Sequence, residues 1–224
     1  MLKFVCHGAS ETTRECAFDA LIVAGWTGRD TAALEHHIEE LAKIGVPRPS
    51  SVPVFYRTSV NGLTQTARLD VLGPDTSGEV EPVLFAIGDD MWLGVGSDHT
   101  DRKAETMGIA LSKQLCGKPV GRELWLYADV AGHWDKLVIR SWATIDGKRV
   151  LYQQGALGIM RRPEELLELY GSTRLAPGAA MFCGTVGAIG GIRPAARFEM
   201  ELEDPVLRRR LAHAYEIVTL PVIA

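Results

Sequence analysis

The chain has 224 residues, 46% hydrophobic and 23% charged, the balance of a folded domain rather than a disordered or fibrous one. A formal net charge of −4 offers no basic surface for nucleic acid, no apolar run approaches a membrane span, and the start lacks a secretory signal; a cytoplasmic protein with neither partner is expected. Cys6, Cys16, Cys116 and Cys183 are scattered with no CxxC pair, which argues against zinc or a disulfide framework and for free thiols.

In chain order, residues 2–6 and 18–24 read as strands, the second a continuous apolar run of the kind buried on both faces. A helix follows, capped by Asp30 or Thr31 and stopped by Gly45 with Pro47 beyond. Leu34, Ile38, Leu41 and Ile44 form its apolar stripe, with His37 inside the stripe and Glu40 on its edge, while His36 and Glu39 face the wetter side. His37 and Glu40 are three apart and can touch, which makes either a general base with an orienting carboxylate or an ordinary core-edge pair. A proline-punctuated strap ends at Arg57, an arginine that could meet an anion or simply face solvent, and residues 66–73 read as a strand.

The stretch from Ser77 to Lys113 concentrates the chemistry. Residues 78–88 and 91–97 pattern as an antiparallel pair turning at Asp89-Asp90. Glu79 and Glu81 are two apart, so on a strand they project to the same side, and Asp98 could close on them from the neighbouring strand. Converging carboxylates repel unless a cation intervenes, and an all-oxygen set suits Mg²⁺, Mn²⁺ or Ca²⁺ rather than Zn²⁺. The alternative is a solvated strand face with a charged turn. Residues 104–115 read as one helix with Lys113 near its end, where lysines commonly answer the helix dipole.

Beyond it, residues 133–157 pattern as a β-meander turning at Asp146-Gly147, with His133, Trp134 and Asp135 taken as the start of its first strand. Residues 162–170 form a short helix with proline in the first turn. A glycine-rich loop surrounds Thr185; it lacks the spacing of a phosphate loop or a dinucleotide fingerprint. Residues 196–204 alternate, with Phe198, Met200 and Leu202 on one face and Glu199, Glu201 and Glu203 on the other, and the tail is a last strand. Many strands with a few segregated helices indicate an α+β fold built on mixed or antiparallel sheets.

Several of these segments, in this order, resemble motifs of the fumarylacetoacetate hydrolase superfamily. Glu79-Val80-Glu81 resembles its E-x-E metal strand, Asp98-His99-Thr100-Asp101-Arg102 its D-x-[ST]-x-R segment, and Ser112-Lys113 the segment carrying its active-site lysine. Leu175-Ala176-Pro177-Gly178 with Cys183-Gly184-Thr185 resembles L-x-P-G-D-x-I-x-T-G-T-P, and Gly187-Ala188-Ile189-Gly190 the A-G-V-G that follows. Near the start, His37 to Leu41 and Pro53 to Arg57 resemble H-x-x-E-[LM] and P-x-x-F-x-K. The wording is also similar to a branch of the superfamily known only as a domain of unknown function. The departures are Cys183 and Val186 in the T-G-T-P segment, Ala179 for its aspartate, Arg57 for a lysine, and only seventeen residues from Glu81 to Asp98.

The resemblance implies a mixed β-sheet roll or sandwich with peripheral helices, divided into a small segment 1–57 carrying a lid-like helix and a catalytic domain 58–224. It implies a metal-dependent hydrolase cleaving a C–C bond in a small 2-oxo or 2,4-dioxo carboxylate, working as a homodimer. Glu79, Glu81 and Asp98 would hold Mg²⁺ (or Mn²⁺/Ca²⁺), Lys113 would face the developing oxyanion, and His37 with Glu40 would activate water. Arg57, Arg102, Gly184 and Thr185 would contact the small-molecule carboxylate substrate, with Arg102 shaping the metal site. The alternatives are a decarboxylase or tautomerase that needs no water, a non-catalytic binding protein on the same fold, and a Cys183 nucleophile.

Overall fold

The computed structural model describes residues 1–43 and 48–223; the side chains of His37, Glu40, Leu41 and Lys43 lie outside the described residues. Chain order runs β1 (Leu2–His7), β2 (Glu11–Cys16), β3 (Ala20–Gly25), α1 (Thr31–Lys43), β4 (Val54–Thr58), β5 (Leu63–Thr64), β6 (Arg68–Leu72), β7 (Thr76–Ser77), β8 (Val80–Ile87), β9 (Asp90–Ser97) and β10 (Thr100–Asp101). It continues with α2 (Arg102–Glu105), α3 (Ile109–Leu115), β11 (Lys118–Pro119), β12 (Glu123–Leu126), α4 (Tyr127–Ala131), β13 (Val138–Ile145), β14 (Lys148–Ala156), α5 (Pro163–Leu169), β15 (Ala179–Phe182), β16 (Arg197–Asp204) and β17 (Arg209–Leu220). No helix among the described residues is long and apolar enough to cross a membrane.

Two sheets carry the fold. One has eight strands in the order β2-β1-β12-β9-β8-β15-β3-β4, the other five in the order β14-β13-β16-β17-β6. Both are mixed: β1 with β12, β15 with β3, and β17 with β6 pair in parallel, and the remaining pairs in the two sheets are antiparallel. The architecture is the expected α+β arrangement, with sheets dominant and helices peripheral.

The main core lies between the sheets. Val80, Leu84, Leu93 and Val95 from β8 and β9 join Ile139, Phe198, Met200 and Leu202 from the five-stranded sheet in one buried cluster. The opposite faces of β8 and β9 also lie in apolar packing, where Val83, Phe85 and Trp92 meet Phe4, Leu124 and Phe182. All eight residues of β8 are therefore buried, and each large apolar side chain removed from water contributes roughly 1.5–3 kcal/mol. The alternation of β16 follows the same logic: Phe198, Met200 and Leu202 are in the core, while Glu199, Glu201 and Glu203 are only partly buried.

The strands from the first 57 residues belong to this same eight-stranded sheet. β3 pairs with β15 and β4 pairs with β3, so the expected division after residue 57 corresponds to no break in the sheet. Two expectations of secondary structure are corrected, and one strand is added. The helix expected over 104–115 is two, α2 and α3, interrupted at Gly108, whose nearly extended φ of 160° stops a continuous turn. His133, Trp134 and Asp135 do not begin a strand; Trp134–Lys136 form a 3₁₀ turn, His133 Nε2 lies 3.0 Å from Asp204 Oδ1, and Asp135 pairs with Arg29. Residues 11–16 form β2, a strand whose polar, mostly exposed sequence carries no apolar alternation to announce it. The Asp146-Gly147 hairpin turn forms with both residues at positive φ, 50° and 73°.

Candidate metal centre

The β8–β9 hairpin builds the centre. Ile87 pairs with Asp90 across the two-residue turn Gly88-Asp89, and the register carries Val80 opposite Ser97. One step further, the Asp98 amide donates to the Glu79 carbonyl at 3.0 Å. The period of two then places Glu81 on the same side as Glu79. Oxygen atoms of Glu79, Glu81 and Asp98 lie within 4.8 Å of one another. Glu79 and Glu81 line a cavity of about 600 Å³, whose other walls include Trp26, Leu34, Tyr56, Ile109, Tyr152 and Ile192, and Lys113, also in its wall, bonds to the buried Asp98. Trp26, at φ 61°, is a bulky residue in the left-handed region on the cavity wall, a strained geometry of the kind that collects at binding sites.

Each carboxylate has a different set of partners. Glu79 accepts from Arg102 Nη2 at 2.8 Å on one oxygen and lies 3.9 Å from Lys113 Nζ on the other. Glu81, 2% exposed, accepts from the Gly184 amide at 2.7 Å. Asp98 is fully buried; Lys113 Nζ donates to its Oδ2, and Lys118 Nζ stands 3.1 Å from its Oδ1. That lysine forms an ion pair with Oδ1 while donating to three backbone carbonyls, which leaves Oδ1 without a hydrogen-bond donor of its own. Burial would raise the Asp98 carboxyl, but the two lysines outweigh it and hold the group at about 2. Glu81 moves the other way, well above the carboxylate range, because burial and then the Asp98 charge oppose its ionisation. Lys113 is raised above an ordinary lysine, since Asp98 and Glu79 together outweigh burial.

The residues present fit a divalent cation. An underused buried oxygen, a carboxylate whose ionisation is opposed, and an all-oxygen donor set are satisfied together by a hard cation such as Mg²⁺, Mn²⁺ or Ca²⁺.

The neighbouring His99 is excluded from this chemistry. Its Nδ1 lies 2.9 Å from Tyr215 Oη and its Nε2 2.9 Å from Thr76 Oγ1. Because the Tyr215 hydroxyl hydrogen goes to Ser97 Oγ, Nδ1 carries the ring proton and Nε2 accepts from Thr76. Burial, then the charges of Lys118 and Arg102, push the imidazole down to about 3.

The remaining expected contacts are distributed differently from the sequence reading. Arg102 lines the cavity, but its guanidinium is committed to Ser77 at 2.7 Å, Glu79 at 2.8 Å and Glu105 at 3.3 Å. Thr185 lines the cavity too, yet its one hydroxyl hydrogen goes to the Val80 carbonyl at 2.6 Å, leaving none for a carboxylate. The Gly184 amide is spent on Glu81. Its φ of 99°, with a hypothetical Cβ only 1.8 Å from Thr27 Oγ1, makes this position glycine's alone. Arg57 is exposed on β4, 3.5 Å from the Tyr170 hydroxyl and outside the cavity, because alternation turns its neighbour Tyr56 inward instead. Cys183 is buried, and burial with the Glu81 charge raises its thiol, which removes the basis for a nucleophile. His37 and Glu40 belong to α1 by backbone, and their side chains lie outside the described residues.

Two residues of the centre escaped the sequence reading. Lys118, 1% exposed, donates to the carbonyls of His99 at 2.6 Å, Cys116 at 3.2 Å, and Lys113. Gln153 accepts from the Val80 amide, which lies between the two glutamates, and from Ser141 Oγ, both at 3.0 Å. It donates to Thr185 Oγ1 at 2.8 Å and to the Val186 carbonyl at 2.6 Å. A Gly-Lys-Pro turn and a strand reading Tyr-Gln-Gln carry no local signal for either role.

No curated protein matches the chain. Solved structures share its fold at low identity. The yeast protein ynq8, a fumarylacetoacetate hydrolase family protein, is 16% identical at a TM-score of 0.62, over 92% of this chain and 95% of that one. Maleylpyruvate hydrolase from Sphingobium sp. SYK-6 is 14% identical at 0.61, over 94% and 75%. A 2-keto-3-deoxy-D-arabinonate dehydratase complexed with magnesium and 2,5-dioxopentanoate is 14% identical at 0.61, over 92% and 74%. The family model described as "Protein of unknown function (DUF2848)" matches residues 24–215. On that match the chain belongs to the DUF2848 family, and its fold is that of fumarylacetoacetate hydrolase family proteins.

Proposed function

We propose that the protein is a divalent-metal-dependent enzyme acting on a small 2-oxo or 2,4-dioxo carboxylate, with hydrolysis of a C–C bond in an acylpyruvate-like substrate as the leading reaction. The observation that carries the reading is the convergence of Glu79, Glu81 and Asp98, two of which line a cavity together with Lys113. Structural neighbours named as a hydrolase and as a magnesium-bound dehydratase support a 2-oxo acid as the substrate class. Glu79, Glu81 and Asp98 would hold the ion, which when bound supplies Lewis acidity toward the substrate's carboxylate and 2-oxo oxygens.

The chain's own residues do the rest. Lys113 keeps its proton because Asp98 and Glu79 surround it, and its Nζ lies 5.9 Å from the Tyr56 ring centroid. It thus presents a fixed positive charge where an enolate oxygen develops, a contribution worth about 3 kcal/mol. Gln153 and the Gly184 amide hold the glutamate strand and the glycine-rich loop in register, so the carboxylates need not reorganise. The reading assigns water activation to His37 with Glu40, on the same helix as the cavity residue Leu34.

A second reading is favoured by one observation: the carboxylates and Lys113 form a complete enolate-stabilising set without a water base. A decarboxylase or tautomerase of an oxaloacetate-like acid would need no more. The test assays acylpyruvates and oxaloacetate with Mg²⁺ or Mn²⁺ in wild type, Glu79→Ala and His37→Ala. Metal-dependent turnover lost in Glu79→Ala supports the enzyme; loss of acylpyruvate cleavage alone in His37→Ala selects hydrolysis. Unchanged turnover in Glu79→Ala would sink the proposal.

A further inference from the structure

We infer that Lys118 is a concealed third cation of the metal centre, balancing its charge so that the divalent ion and the substrate's carboxylate bind as a coupled pair. The inference rests on the metal-site reading above and concerns a residue that the family motifs do not include.

Lys118 reaches the centre from below. Its Nζ faces Asp98 Oδ1 at 3.1 Å and the carbonyls of His99, Cys116 and Lys113. Four oxygens around one nitrogen suit an ammonium, with three hydrogens to donate, and not an amine, whose lone pair would face one of them. Two of those carbonyls belong to the end of α3 and one to the turn after Asp98. Lys118 therefore ties the helix carrying Lys113 to the loop carrying Asp98, and sets the distance between them.

Charge supplies the second half of the argument. Among the described residues, the groups joined in this cluster are the carboxylates Glu79, Glu81, Asp98 and Glu105 and the cations Arg102, Lys113 and Lys118. A bound divalent ion favours the ionised form of Glu81, and with all groups ionised, four negative and three positive charges leave a single negative charge to set against the ion. Three converging carboxylates without those cations would take up a divalent ion unaided. Here the ion alone turns the centre net positive, and a buried net charge is costly. A 2-oxo carboxylate brings one negative charge and restores neutrality. Each ligand thus raises the affinity for the other, by the same factor in both directions.

The test uses the purified protein, Mn²⁺ as the metal and oxamate as the anion, a monoanion with the carboxylate and adjacent carbonyl oxygen of a 2-oxo acid. Bound Mn²⁺ is read from the electron paramagnetic resonance of the free ion, corrected for the Mn²⁺–oxamate complex. In wild type, oxamate is expected to tighten Mn²⁺ binding at least about tenfold, and Mn²⁺ to tighten oxamate binding by the same factor. Lys118→Gln and Lys118→Met remove the charge; each is expected to bind Mn²⁺ alone more tightly, with the coupling reduced. Lys118→Arg keeps the charge and should retain the coupling. Wild type binding Mn²⁺ equally with and without oxamate overturns the inference and leaves the metal site standing. Weaker or unchanged Mn²⁺ binding in a folded uncharged variant also overturns it. Unfolding of both uncharged variants, with Lys118→Arg folded, would make the lysine scaffolding alone and overturn it too. No Mn²⁺ binding under any condition would instead remove the metal reading itself.

Discussion

The chain holds two clusters of acidic and basic side chains, and they behave in opposite ways. On the outer face of the five-stranded sheet, Arg140 pairs with Glu201 and Glu203, Arg149 with Glu199 while stacking on Trp142, and Arg197 with Glu216. There pairing dominates: Glu199 is lowered chiefly by its hydrogen bond from Arg149, and Arg140 is raised chiefly by its bond to Glu203. Every such shift favours the charged form. In the metal centre burial is the largest influence, and the shifts diverge. Asp98 is lowered, Glu81 is raised, and Lys118 is lowered because burial outweighs the attraction of Asp98. The difference follows desolvation. A ladder of arginines and glutamates at the surface pairs within water's reach, whereas acids and bases taken out of water compete for protons and leave room for a cation.

That contrast can be broken most severely at Asp98. Replacing it with alanine leaves Lys113 and Lys118 buried without their carboxylate, and the expected loss is about 3–5 kcal/mol by urea unfolding; a loss under 1 kcal/mol would mean that the buried cluster behaves like the surface one. Acid is the next lever, through His99. Its folded pKa of about 3 lies below the unfolded value near 6.5, so the unfolded state binds the extra proton first and stability falls as pH drops through that window. Between pH 6.5 and 4.5 this amounts to about 2 kcal/mol, read as the fall in the urea midpoint of wild type relative to His99→Gln, a comparison in which the opposing contribution of the raised Glu81 carboxyl cancels; equal pH slopes in the two proteins would contradict the neutral buried imidazole. Asp98 adds nothing in that window, because its depressed group loses its stabilising effect only as pH falls below about 4 toward 2.

Gln153→Leu tests the support beneath the centre. It leaves the Val80 amide without an acceptor, at an expected cost of about 2 kcal/mol, together with a weaker Mg²⁺-dependent rise in Tm. An intact rise would confine Gln153 to stability. The smallest effect is expected on the outer ladder: Glu199→Gln should shift unfolding by less than about 1 kcal/mol and leave metal binding unchanged. A larger effect there would erase the distinction between the two clusters.

What the sequence disclosed of all this follows from the range of each interaction. Glu79, Glu81 and Asp98 were legible because a strand's period and a tight turn are local, and together they fix which side chains meet. The inward and outward faces of β16 were legible for the same reason. Lys118 was not, because its burial depends on β11 pairing with β5, more than fifty residues earlier in the chain. Thr185 lies on the cavity wall, but the contacts that hold its hydroxyl, to the Val80 carbonyl and from Gln153, are written nowhere near it in sequence. Arg57 was a question of strand phase, and only the packed sheet decides that Tyr56 is the inward neighbour.

The hairpin of β8 and β9 has one more consequence. Its two-residue turn is among the shortest that can reverse a strand, which accounts for the narrow spacing of seventeen positions from Glu81 to Asp98. The hairpin therefore works as a ruler. One residue inserted beside Asp89 would slide every later position of β9 to the opposite face and carry the Asp98 carboxylate away from both glutamates. Substitutions at Asp89 and Asp90 can be frequent over evolutionary time, but insertions and deletions between residues 81 and 98 should be nearly absent from any chain that keeps this centre.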